Sequence, residues 1–243
     1  MEKIIHQTWK TKDIPFDVYK REWVASWAER HPGWEYRLWT DEDNRCLIKE
    51  QFPWFLKTYD NYPAAINRVD AIRYFILYAY GGVYVDLDYL CLKNLEPLLA
   101  GYDLVLTYTG RDKAFAHSIS NAIMASSKGM SLWPEVFKRM QKARGDKTIV
   151  EFRTGPALLR DAVKSFVQRQ ALCSFFKVPI KEKVKVCEPE VLCPIDPRQY
   201  SIHKGSLPQK MQDDPAGSFP EAYAVTFWAH HWQDPYYMNK ESN

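Results

Sequence analysis

Apolar and polar positions follow two periods along this chain, and the period changes at glycines, prolines and polar clusters. Lys3 to Trp9 (KIIHQTW) is a short strand candidate, followed by a lysine-rich turn that reaches Pro15. From Phe16 to Glu29 the apolar residues recur at helical spacing and predict an amphipathic helix. His31-Pro-Gly-Trp34 reads as a turn, and Glu35 to Trp39 alternates as a second strand. Thr40 with Asp43 three residues on predicts a capped helix to about Glu50, and Gln51 to Tyr59 a second helical piece. Ile66, Val69, Ile72, Ile76 and Leu77 mark a helix from Ala64 to Tyr80, with Pro63 suited to its first position. Gly81 and Gly82 end that helix, since glycine takes a positive φ without steric cost. Val83 to Asp88 then alternates, with Val83, Val85 and Leu87 on one face and Tyr84, Asp86 and Asp88 on the other.

The second half is less regular. Asp103 to Tyr108 predicts a buried strand, His117 to Ala125 the start of a strand or a helix, and Leu132 to Ala143 a helix. Thr154-Gly-Pro156 opens a helix to about Val167. Short apolar strands lie between Val178 and Pro197, a long polar loop from Ser201 to Phe219, and a last strand from Ala222 to Trp228. Alternating strands and helices predict an α/β fold with a largely parallel sheet. No repeat or linker divides the sequence, so residues 1–243 are expected to form a single domain.

Composition adds bounds. The net charge of +3 gives no argument for a nucleic-acid partner, and the 9 Trp and 15 Tyr suit either a large core or stacking on sugars and bases. Five cysteines without C-x-x-C spacing, and no secretory leader, favour free thiols in a reducing compartment. No apolar run is long enough to span a membrane. The expected location is cytoplasmic, with peripheral contact at a membrane surface left open.

The chemistry gathers around the central helix and strand. Asp86 and Asp88 are two carboxylates side by side at the end of an apolar strand, where their repulsion calls for a proton, a basic partner or a cation. Asn67, Asp70, Arg73 and Tyr74 share one polar face of an otherwise apolar helix. A solvated face reads the same way, and Asp70 with Arg73 also reads as a plain helix ion pair. Trp9 and Tyr84 read equally as core aromatics, and His6 reads as a packed core histidine. An apolar strand ending in Asp-X-Asp also opens phosphohydrolases of the haloacid dehalogenase type. Those need a later acidic pair on a strand end, whereas Asp213-Asp214 sits in a polar stretch before Pro215. A noncatalytic nucleotide-sugar-binding module is the third alternative.

Asn67-Arg-Val-Asp-Ala-Ile-Arg-Tyr74 followed by Gly81-Gly-Val-Tyr-Val-Asp-Leu-Asp88 resembles the DXD region of glycosyltransferase family 32. That family includes fungal α-mannosyltransferases and enzymes that mannosylate inositol phosphoceramide, with a more distant likeness to the glucosyltransferase domains of clostridial toxins. Lys3 to Thr11, Thr154-Gly-Pro156 and His230-His-Trp232 resemble further landmarks of the family. The resemblance implies a GT-A fold, a Rossmann-like mixed sheet flanked by helices, with the nucleotide-sugar core over about 1–110 and the acceptor side over about 111–243. It implies retaining, metal-dependent transfer of mannose from GDP-mannose, or of galactose or glucose from a UDP-sugar, to a glycan, glycolipid or protein hydroxyl. Carried over residue by residue, Asp86 and Asp88 would hold Mn²⁺ (or Mg²⁺), with His230 or His231 completing the metal site. Asp70 and Arg73 would hold the donor sugar and the leaving diphosphate. Trp9 would stack on the base, and Asn67, Tyr84, Asn121, Gly155 and Trp232 would contact substrate. The family usually follows its histidines with a Gly-Ser-Trp type element, whereas here Trp232 comes directly after His231.

Overall fold

The computed structural model describes residues 1–143, 149–176, 182–200 and 205–229. Strand β1 (Ile4–Thr8) leads through a turn into helix α1 (Arg21–Arg30), strand β2 (Glu35–Trp39), and helices α2 (Asp41–Gln51) and α3 (Pro53–Asp60). The expected capping box is present at α2. The Thr40 hydroxyl accepts from Asp43 N at 3.1 Å, and the Asp43 carboxylate accepts from Thr40 N at 2.9 Å. Helix α1 begins five residues later than its apolar spacing suggests, because residues 16–19 form turns.

Helix α4 (Ala65–Tyr80) is the central element, buried along nearly its whole length. Pro63 lies before the helix rather than in its first turn, and Ala64 is the N-cap. Gly81 and Gly82 take φ of 68° and 88°, which reverses the chain into β3 (Gly82–Val85). A Cβ at Gly82 would collide with the Ile4 carbonyl oxygen of β1, so the close approach of the two strands requires glycine there. The alternation holds through Val85 and then stops. Residues 86–88 form a turn, not the end of a strand, before β4 (Tyr89–Cys91).

After α5 (Glu96–Leu99) come β5 (Leu104–Thr107) and β6 (Ile123–Ser126), then α6 (Leu132–Lys142), α7 (Val150–Arg153) and α8 (Pro156–Phe175). Strand β7 (Val184–Cys187), helices α9 (Pro189–Leu192), α10 (Gln209–Asp213) and α11 (Pro215–Ser218), and strand β8 (Ala224–Thr226) complete the described chain. The Thr154-Gly-Pro156 helix runs eight residues beyond Val167, and the polar stretch read as a loop carries α10 and α11.

The main sheet has the order β2-β1-β3-β6-β5-β7. Strand β1 runs parallel to β2 and β3, β6 runs antiparallel to β3 and β5, and β5 runs parallel to β7. The sheet is therefore mixed, as the resemblance implies, with β6 as the reversed strand. Helices cover both faces. Tyr84 packs into a core with α2, α3, α4, α6 and α8, while Val83 and Val85 pack opposite with Trp27, Leu95, Leu98 and Leu192. Phe75 and Phe137 stack at 4.0 Å between ring centroids in the first core. Burial of each such side chain contributes about 1.5–3 kcal/mol. A third cluster, containing Leu87, Trp23 and Phe227, lies beneath the two-stranded sheet of β4 and β8. All five cysteines are free thiols. Among the described residues, no helix is long and apolar enough to cross a membrane.

Candidate active site

The polar face of α4 is not solvated. Asn67 and Tyr74 are fully buried, and Asp70 and Arg73 nearly so. Asp70 and Arg73 border a cavity of about 310 Å³ that is also lined by Asp86, Asp88, Asn121 and Thr226. Helix α4 supplies Asp70 and Arg73 from one turn, and the turn after β3 supplies Asp86 and Asp88.

Arg73 is the hub. Its Nη1 donates to the Asn121 carbonyl at 3.0 Å and lies 3.6 Å from Asp70 Oδ1, and its Nη2 lies 3.3 Å from Asp86 Oδ1. The guanidinium also stands over the Tyr84 ring at 5.2 Å. Burial works against its charge, yet Asp86, Tyr84 and Asp70 hold its pKa above the ordinary value. Its Nε is buried without a hydrogen-bond partner among the described residues, which leaves an unmet donor beside the cavity. This is more than a helix ion pair, because one cation answers two carboxylates from different elements.

The carboxylates are held against their preference. Burial pushes Asp70 from 3.8 to about 6, with Arg73 opposing. Asp88 is pushed to about 7 by burial and then by the neighbouring Asp86 charge. Asp86 is raised by burial and drawn back by Arg73 and Tyr84. The Tyr84 hydroxyl donates to Asp86 Oδ1 at 2.8 Å, while Ala229 N donates to Asp88 Oδ2 at 2.9 Å. Asn121 Nδ2 donates to Asp70 Oδ1 at 2.9 Å, and Asn67 Nδ2 donates to Thr154 Oγ1 at 2.9 Å. Gly155 has no positive φ, but a Cβ there would stand 3.3 Å from Asp70 Oδ2 and 3.0 Å from Glu151 Cα. Its small size lets α7 close over Asp70.

The sequence candidates therefore divide. Asp70, Arg73, Asp86, Asp88 and Asn121 line one cavity. Asn67 and Tyr84 support it from behind, through Thr154 and Asp86. Trp9 follows β1 but lies outside the cavity lining, half-buried and edge-on to Tyr19 at 5.3 Å. His230, His231 and Trp232 fall outside the described residues. Among the described residues, no group of three or more acidic, histidine or cysteine side chains is gathered as a metal cluster. The second acidic pair that a phosphohydrolase needs is also not here. Asp214 caps α11 by accepting from Gly217 N at 2.9 Å, and neither Asp213 nor Asp214 lines the cavity.

Sequence reasoning missed His117, Glu151, Thr109, Arg198 and Trp228, all of which line the cavity. They come from loops and element ends, where periodicity carries no signal. Trp228 holds φ at 52°, a left-handed conformation that costs a bulky residue about 1–2 kcal/mol. Its indole N–H donates to the Ile195 carbonyl at 2.7 Å, which helps fix it.

Known proteins resemble parts of this chain. The profile described as "Glycosyltransferase sugar-binding region containing DXD motif" matches residues 17–105. Two Asp-X-Asp triplets fall in that range. Asp41-Glu-Asp43 is spent at the surface, where Asp43 caps α2 and pairs with Lys12 at 2.7 Å, whereas Asp86-Leu-Asp88 faces the cavity. The stretch that matches the profile therefore holds the Asp-X-Asp turn of the cavity. The chain is 42% identical to inositol phosphoceramide mannosyltransferase 3 of Schizosaccharomyces pombe over 65% of its own length and 43% of that protein's. It is 55% identical to mannosyl phosphorylinositol ceramide synthase SUR1 of Saccharomyces cerevisiae over 40% of its length and 25% of that protein's. The match spans less than half the length of each of these relatives. Among solved structures, it is similar to a protein titled PaToxG Glycosyltransferase, with a TM-score of 0.48 and 14% identity over 73% of this chain and 74% of that one.

Proposed function

We propose that this protein is a glycosyltransferase that moves a hexosyl group, with retention, from a nucleotide sugar to a hydroxyl of a glycan or lipid headgroup. GDP-mannose is the first candidate donor, and UDP-galactose or UDP-glucose the alternatives. The observation that carries the proposal is the buried Arg73, bracketed by Asp70 and Asp86 beside an Asp-X-Asp turn in one cavity. In the reaction, the bond between the anomeric carbon and the diphosphate oxygen breaks, and its electron pair leaves with the diphosphate. The acceptor oxygen forms the new bond, and its proton passes to a phosphate oxygen or to solvent. Arg73 offers fixed positive charge to the leaving diphosphate, and a guanidinium fork matches phosphate oxygens. Asp70, oriented by Asn121, accepts hydrogen bonds from sugar hydroxyls. Trp9 is proposed to stack on the base.

The donor set fits a divalent cation. Asp86 and Asp88 are hard oxygen ligands, and Asp88 holds a proton too tightly for an isolated surface carboxylate. Mg²⁺ and similar cations are commonly held by one or two carboxylates, with substrate phosphates filling the remaining positions. Asp86 and Asp88 would hold the ion, with His230 or His231 proposed to complete its shell. When bound, such an ion neutralises the charge that develops on a leaving diphosphate.

The relatives named for inositol phosphoceramide favour mannose and a glycolipid acceptor. On α7, beside Glu151 at the cavity, Phe152 is 42% exposed, and the preceding Ile149 is 61% exposed. Apolar surface there suits an acceptor with an apolar part and supports peripheral contact with a membrane. The test is a screen of GDP- and UDP-sugars for Mn²⁺-dependent release of free nucleoside diphosphate, with GDP released from GDP-mannose as the expected result. Release of inorganic phosphate, or of nothing from any donor, would overturn the reading.

A further inference from the structure

The cavity lining has two unlike parts. In the part formed by α4 and the turn after β3, the charged groups are engaged with one another. At His117 and at Glu151 of α7, the lining presents polar groups with nothing to bind. His117 is half-buried, and its ring meets Phe115 at 5.0 Å between centroids. Among the described residues, neither of its ring nitrogens makes a hydrogen bond, and the Glu151 carboxylate makes neither a hydrogen bond nor an ion pair. Both residues line the cavity with Phe115. Polar side chains left uncommitted inside a cavity mark where a ligand supplies the partners.

We infer that Phe115, His117 and Glu151 form the acceptor subsite, and that it takes the ring of an uncharged polyol. The inference rests on the transferase reading above and names the acceptor chemistry for the same cavity.

This part of the lining is prearranged and, among the described residues, offers no unpaired cation. The Phe115 carbonyl accepts from Arg160 Nη1 at 3.2 Å, and the Arg198 guanidinium stands over the Phe115 ring at 4.9 Å. Arg198 is itself neutralised by Asp196 at 2.7 Å and Asp112 at 3.4 Å. Among the described residues, a phosphate or carboxylate here would therefore meet Glu151 with no free positive charge beside it to offset it. Hydroxyl groups meet the opposite situation. A carboxylate accepts from two neighbouring hydroxyls, and a neutral imidazole accepts from one and donates to another. Burial lowers the His117 pKa below 6.5, with Glu151 opposing, so the ring is neutral at pH 7. The apolar edge of Phe115 suits the C–H face of a saturated ring. Glu151 also lies next to Asp70 across Gly155, so a polyol here would be adjacent to a sugar held by Asp70.

The test is titration of the full chain with myo-inositol and with methyl α-D-mannopyranoside, read by saturation-transfer NMR, with and without GDP and Mn²⁺. The two probes distinguish a cyclitol from a sugar ring. At least one should bind the wild type. Glu151→Gln, which is isosteric, and His117→Ala should each weaken that probe roughly tenfold, the size expected for a lost buried hydrogen bond of this kind. GDP affinity should stay within about twofold, because these residues are not among the groups proposed to hold the diphosphate or the base. Binding of neither probe, unchanged probe affinity in folded Glu151→Gln, or an equal loss of GDP affinity would each overturn the inference. A wild type that binds the polyol but binds and releases no nucleoside diphosphate would instead refute the transferase reading and leave this subsite in place.

Discussion

Two buried polar clusters lie at opposite ends of β3, and they behave differently. At its start, His6 is fully buried. The Trp39 indole N–H donates to its Nδ1 at 3.1 Å, so its Nε2 donates to the Gly81 carbonyl at 2.9 Å. Every polar atom is answered, burial drives its pKa to about 4, and the ring stays neutral. Beyond the end of β3, Arg73 has a donor left over, and Asp70, Asp86 and Asp88 all bind protons more tightly than usual. Burial is the same in both places. Closure of the hydrogen bonds is what differs, and it separates a group that holds the fold together from groups held ready for a ligand.

The largest expected effect comes from Arg73. Arg73→Lys keeps the charge but loses the fork, and kcat on a sugar nucleotide should fall about a hundredfold or more. Steady-state kinetics on a variant with wild-type circular dichroism checks this, and unchanged kcat would make the open cluster as structural as the closed one.

Proton and metal linkage come next. The metal-free fold raises Asp70 and Asp88 to about 6 and about 7 from 3.8, so it favours their protonated forms. That contribution is complete below the unfolded value and is lost as pH rises through 6 and 7. The melting temperature without metal should fall across that window, and Asp88→Asn should flatten the fall. Because a ligating carboxylate must be ionised, Mn²⁺ affinity should rise roughly tenfold per pH unit up to about 7 and then level off, as calorimetry can read. A flat profile would mean that Asp88 holds no metal.

Trp9 tests the comparison from outside the cavity. Stacking on a base is worth about 1–3 kcal/mol, so Trp9→Ala should weaken GDP and GDP-sugar by one similar factor and leave sugar preference unchanged. Normal GDP binding would return Trp9 to a packing role, its ring edge-on to Tyr19. The smallest effect on chemistry belongs to His6. His6→Ala should destabilise the protein by about 1–3 kcal/mol by stranding Trp39 and Gly81, while kcat stays within about twofold. Urea unfolding and kinetics on the same sample separate the two readouts.

What was legible in the sequence followed from local rules. The helix with Asp70 and Arg73, the double glycine and the Asp-X-Asp are contiguous in the chain, so spacing alone brings them near one another. Thr40 and Asp43 announced their cap for the same reason. The reversal of β6 was not legible, because strand direction depends on the whole connection. The end of β3 at Val85 was masked by Leu87, which is buried in the third cluster rather than paired in the sheet and so prolongs the alternation. His117 and Glu151 sit 34 residues apart by their numbering, on a loop and a one-turn helix, and no period links such positions.

The hold on Asp88 by the residues that follow β8 has a consequence for the making of the protein. Phe227 N reaches the Asp88 carbonyl at 3.1 Å, and Ala229 N reaches its carboxylate from 141 residues further along the chain. During vectorial synthesis, α4, β3 and both aspartates leave the ribosome long before that partner exists, an interval of roughly ten to thirty seconds at ordinary translation rates. Throughout it the nascent chain carries mutually repelling carboxylates without their last backbone donor. Completion of the site is thus a late, long-range closure, and a ribosome-stalled chain ending before β8 should bind nucleotide poorly even where its sheet has already formed.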